Sequence, residues 1–217
     1  MIVHPASSAL RLFDAGDTDQ PDVATLLDWA AEYLARPHPE LGRAGPVCPY
    51  VRRSLDRRRF YVNIVQGAPT TAAELAFAIR PFRDWFLELA PRGHPDAVAT
   101  TILNAFPGLT DRSLVDEAQR ALQAVFVKDG LMVGEFHDGP PDKPGLRNTR
   151  WRPLHSPVPL LAIRHMVPTD FPFLTKDPQF VESYLAIHGQ NIPRRQKDLV
   201  REVAGQYGIS LLQEKHR

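Results

Sequence analysis

The chain of 217 residues has one cysteine, Cys48, so no disulfide can close within it. That excludes a disulfide-stapled scaffold and cysteine-rich zinc or iron–sulfur sites, and it fits a reducing compartment. No apolar run approaches the roughly 20 residues of a membrane span, so no membrane partner is expected. Met1 to Leu10 shows no basic stretch followed by an apolar one. No secretory leader is therefore expected, and a cytoplasmic protein is the reading. An excess of one charge is also missing: 26 Lys and Arg stand against 25 Asp and Glu, a formal net charge of +1. That balance argues against a nucleic-acid partner or an anionic membrane surface. The G-x-G-x-x-G, Walker A, G-x-S-x-G and H-E-x-x-H patterns are absent too, which removes the commonest nucleotide, serine-hydrolase and zinc-protease readings.

Hydrophobic residues make up 43% of the chain, enough for a sizeable core. Prolines number 21, twice the usual ~5% share, and they gather in Pro37 to Pro49 and Pro140 to Pro172. Both stretches are expected to be rigid and irregular. Arginine outnumbers lysine 21 to 5, a set suited to planar recognition of carboxylates wherever it faces a pocket.

Hydrophobic periodicity predicts helices over Asp22–Arg36, Tyr50–Arg58, Thr71–Leu89, Thr110–Lys128, Asp177–His188 and Arg194–Tyr207. Strands are predicted over Phe60–Val65, Val98–Phe106, Leu131–Phe136 and Val158–Met166. Thr71 and Glu74 form a capping box, and Pro81 is expected to kink or split the helix they open. Residues 1–20 read as a loosely ordered lead-in. The expected fold is a single α+β domain over residues 1–217, with a small, mostly antiparallel sheet of about four strands flanked by helices.

Several groups offer chemistry. His94-Pro95-Asp96 fits half of a two-His-one-carboxylate iron site, or a simple turn. Arg52, Arg53, Arg57, Arg58 and Arg59 read as a solvated helix face, partly paired with Asp56, rather than a phosphate patch. Phe77, Phe82, Trp85 and Phe86 read as core. Cys48, in a proline-walled turn before a helix, is either a packing residue or a thiolate ligand. Alternation places Glu135 and His137 on one strand face, about 7 Å apart. In the next strand Leu161, Ile163 and His165 share a face, with Arg164 opposite. Two histidines on consecutive strands, joined by an Arg-rich loop over Asp138–Pro157, suggest a cofactor site.

Gly134-Glu-Phe-His137, Arg147 to Arg152, Leu160-Leu-Ala-Ile-Arg-His165 and Asp170-Phe-Pro-Phe-Leu174 follow one another in order. Together with Val47-Cys-Pro-Tyr50, this series resembles the YcgG/YqcI-type family of heme proteins over roughly residues 45–174. Glu135-Phe136 adds one residue before the histidine, and Asp138 stands where that family has proline. The resemblance implies heme b and an oxygenase that hydroxylates the nitrogen of a small amine or amino acid, served by an external electron donor. The alternative is a non-catalytic heme- or small-ligand-binding protein. On that reading His137 is the iron ligand and His165 the second catalytic histidine. Glu135 takes the substrate nitrogen, while Arg147, Arg152, Arg164 and Cys48 belong to the cofactor pocket.

Overall fold

Chain order is set by short runs of clear period. In a computed structural model, which describes residues 1–211, they become β1 (Ile2–His4), β2 (Ser7–Leu12), α1 (Pro21–Trp29), α2 (Val51–Asp56), β3 (Phe60–Ile64) and α3 (Ala72–Leu89). Then follow β4 (Thr101–Ala105), α4 (Ser113–Lys128), β5 (Leu131–Asp138), β6 (His155–His165), α5 (Pro178–His188) and α6 (Lys197–Gln206). His216, which the sequence places in a terminal tail, lies outside the described residues. The α+β class expected from the sequence is the class observed. Among the described residues, no helix is long and apolar enough to cross a membrane.

A four-stranded sheet runs in the order β3-β4-β6-β5. β3 and β4 are parallel, joined by the α3 crossover, and β4 pairs antiparallel with β6. The amide of Met166 donates to Gly130 O at 2.9 Å and that of His137 to Leu154 O at 3.2 Å. The two bonds run in opposite senses along the chain, so β5 and β6 are antiparallel as well. The sheet is therefore mixed, with two of its three pairings antiparallel.

The expected loose lead-in is a β1–β2 hairpin. Strands of three and six residues are too short for alternation to stand out. Their place is settled by pairing instead: Phe13 and Val62 exchange both backbone hydrogen bonds at 2.8 Å, which covers the free edge of β3.

The chain groups into two compact units. The first comprises Met1–Ala121 and Val133–Arg164, the second Leu122–Met132 and residues 165 onward. In the first, Val23, Leu26, Leu27 and Leu34 pack on Phe60 and Val62 of β3, Leu103 and Ala105 of β4, and Val158 and Leu160 of β6. Phe60, Val62 and Ile64 share the face that their alternation predicts. In the second, Phe171, Leu174, Val181, Tyr184, Val200 and Val203 form the core, and Tyr184 Oη donates to Pro168 O at 2.7 Å. Asp177 opens α5 by accepting from Gln179 N at 2.8 Å.

Four local expectations change. α3 runs unbroken through Pro81. Leu75, Ala76 and Ile79 before the proline and Phe82, Trp85 and Phe86 after it are all buried, and that continuous apolar face outweighs one lost amide. Phe77 is not core: it is 78% exposed, because helical spacing carries it off that face. β4 begins at Thr101, since a 3-10 turn occupies Ala97–Ala99. The arginine run is largely paired with carboxylates distant in sequence rather than with Asp56. Arg57 and Arg59 face Asp96, and Arg58 reaches Asp14 at 2.7 Å. His94 accepts the Asp96 amide at 3.1 Å, so His94-Pro95-Asp96 is a turn.

The parallel strands end in a cleft of about 410 Å³ lined by Asp22, Ile64–Ala68, Pro107 and Gly108. Gly67 has φ +87°, and a Cβ on Gly108 would lie 2.5 Å from Gly67 O. Backbone cannot yield as a flexible side chain does. Gly108→Ala is expected to cost about 1–3 kcal/mol in urea denaturation. An unchanged midpoint would show that the two loops part freely.

Candidate functional site

Strand alternation puts Val133, Glu135 and His137 on the face of β5 that α4 covers. On α4, Asp116 and Gln119 stand three residues apart and so look the same way. Gln119 Nε2 donates to Val133 O at 3.1 Å, and His137 Nε2 donates to Asp116 Oδ1 at 3.0 Å. Glu135 is the residue between these two points of attachment.

Its surroundings are unusual for a carboxylate, since Glu135 is only 2% exposed. Lys143 Nζ lies 2.9 Å from its Oε1, reaching in from the segment 139–154 that joins β5 to β6. Burial pushes the Glu135 carboxyl above its usual range. The Lys143 charge and hydrogen bond pull it back incompletely, and the negative charge of Asp116 adds to the rise. Gln119 carries a second mismatch. Its Oε1 is buried without a hydrogen-bond donor, a state that costs about 1–3 kcal/mol.

The 139–154 segment is irregular but anchored. Arg147 Nη1 donates to Gly42 O at 3.2 Å and Asn148 Nδ2 to Glu40 Oε2 at 2.6 Å. The Trp151 ring stacks on His38, centroids 4.8 Å apart and 12° from parallel. Tyr33 Oη donates to Pro153 O at 2.9 Å, and Trp29 Nε1 donates to His155 O at 3.0 Å. α1 supplies both aromatic anchors, because it widens after Trp29 into a π-helical turn, Ala30–Leu34, closed by Ala35 N to Ala30 O at 2.9 Å. Burial raises the Tyr33 phenol to about 12, so it stays a neutral donor.

The structure brings together Glu135 and His137 but not the remaining residues singled out in the sequence. The His137 amide bonds to Leu154, which precedes β6, whereas buried His165 ends β6 eleven residues later. At about 3.3 Å per residue, the strand itself separates the two positions. Arg164 sits opposite Thr101 in the β4–β6 register. Arg152 donates to Thr149 O at 2.8 Å, and Arg147 is engaged at Gly42. Cys48 packs against the core of the first unit, with its amide on Leu34 O at 2.8 Å.

His137 gives Nε2 to Asp116 beneath α4, which leaves Nδ1 as the ring nitrogen for any further partner. Of the arginines assigned to the cofactor pocket, Arg147 and Arg152 donate to loop carbonyls. Among the described residues, no three His, Cys, Asp or Glu side chains are grouped to hold a metal ion.

Sequence reasoning missed Asp116, Gln119 and Lys143. A signal for two of them was present: both polar residues interrupt the inward stripe Val115, Ala118, Leu122 of α4. Lys143 lies in an aperiodic stretch and carried none.

Fold and site together define a mixed α+β protein with a buried acid–base cluster between one helix and the edge strand of its sheet. The chain belongs to the family described as Domain of unknown function (DUF6875), which it matches over residues 23–199. All five residues of the cluster fall inside that span. No curated protein and no solved structure matches the chain.

Proposed function

We propose that the protein binds a small amine or amino acid, holding the cationic nitrogen against Glu135 beneath the 139–154 segment. One observation carries this reading: a carboxylate that is 2% exposed meets an ammonium group delivered by a loop rather than by the core. A buried carboxylate is costly unless a cation is brought to it, so the position selects positively charged partners. His137, held by Asp116, stands two residues away on the same face and supplies an acid–base group beside the bound nitrogen. This reading keeps the amine implied by the sequence resemblance and leaves out the heme.

Calorimetric titration of the full chain with cadaverine, agmatine and lysine at about pH 8, where these amines are charged, tests it. At least one is expected to bind saturably and raise the melting temperature, and Glu135→Gln should weaken that binding tenfold or more, about 1.4 kcal/mol. Wild-type protein that binds none of the three, or binds them equally well as Glu135→Gln, would overturn the proposal.

A further inference from the structure

Gln119 says something about the occupant of this site, on the amine-binding reading above. α4 holds one face of β5 at Val133 through Gln119 and at His137 through Asp116, with Glu135 between. Gln119 is 3% exposed; its amide N–H is used, and its Oε1 is left without a donor. A buried carboxylate and a buried, unpaired amide oxygen on facing elements call for one group carrying positive charge and several N–H donors. A primary ammonium has three such donors, and a quaternary one has none.

Lys143 meets only part of that demand. Its ammonium reaches Glu135 Oε1, yet the Gln119 oxygen stays unpaired. Its segment is tied down at Gly42, Glu40 and His38, which limits where the ammonium can go. The Lys143 side chain is 35% exposed, so it can swing into water without disturbing the core. We infer that Lys143 is a tethered stand-in for the ligand, and that the ligand is a primary alkylammonium ion that displaces it by bonding both Glu135 and Gln119 Oε1.

The test titrates n-butylammonium chloride, which matches the four-carbon stem of lysine, into the full-length wild type and into Lys143→Ala. Lys143→Ser serves as a second variant if the first does not fold, and circular dichroism checks both. Removing the resident competitor should tighten binding at least about tenfold, and adding Gln119→Leu should weaken it again by a similar factor. Tetramethylammonium should not bind. Equal affinity in wild type and the folded Lys143 variant, indifference to Gln119→Leu, or tight binding of tetramethylammonium would each overturn the inference. Amines that bind wild type without tightening in the variants sink the stand-in but spare the amine-binding reading. Binding seen in the variants alone shows a space opened by the substitution and no displacement in wild type, so it overturns the inference, and no binding in any protein removes both.

Discussion

Trp29→Ala is expected to lower the stability of the protein by about 3–5 kcal/mol, the cost of removing a large buried aromatic side chain. Trp29 is buried in the core of the first unit, edge-on to Phe136 at 5.6 Å and stacked on Tyr33 at 6.4 Å. Its indole N–H also satisfies His155 O at the start of β6. Truncation leaves a cavity and an unpaired carbonyl together. Trp29→Phe keeps one buried ring but removes the donor and part of the indole, so it is expected to cost less than Trp29→Ala, about 1–3 kcal/mol. Urea denaturation with an unchanged m-value measures both. A loss below about 1 kcal/mol in Trp29→Ala would show that the aromatic group does not hold the sheet to α1.

Glu135→Gln is expected to behave in the opposite way and melt a few degrees above wild type at neutral pH. The folded-state pKa of Glu135 lies above its ordinary value of 4.5, chiefly because of burial. Folding therefore takes up a proton at this residue. The associated stability is fully present below the unfolded-state pKa and is lost as pH rises through the folded one. Glutamine resembles the protonated carboxyl and carries no charge to bury. Its advantage over wild type should be largest at neutral pH and fade toward about pH 4, where wild type is protonated as well. The lost bond to Lys143 works against the gain but is the smaller effect, since burial outweighs the pull of Lys143. Melting curves across that range give the answer, and a variant less stable than wild type at neutral pH would show that the Lys143 pair dominates. A stabilising change that also abolishes amine binding is what a functional carboxylate should show.

Much of the architecture was legible because it rests on local rules. The Phe60-Val62-Ile64 face, the Thr71 cap of α3 and the Asp177 cap of α5 depend on residues at most three or four apart. The continuity of α3 through Pro81 was not legible, since the buried face that holds the helix together is a tertiary fact. The β1–β2 hairpin escaped for the same reason: its order comes from the pairing of Phe13 with Val62.

The candidate site divides along the same line. Residue type and alternation were enough to single out Glu135 and His137 and to place them on one face of one strand. They were enough, too, to exclude disulfides and an excess of charge, and to set the α+β class. Which groups those two residues meet was decided only when the chain closed on itself. Asp116 reaches His137 across 21 positions, Lys143 returns to Glu135 from an aperiodic loop, and β6 carries His165 away from His137. Periodicity reports which way a side chain points from its own backbone. Partner and distance come from the pairing of strands and the packing of helices, where charges far apart in sequence are brought within hydrogen-bonding reach.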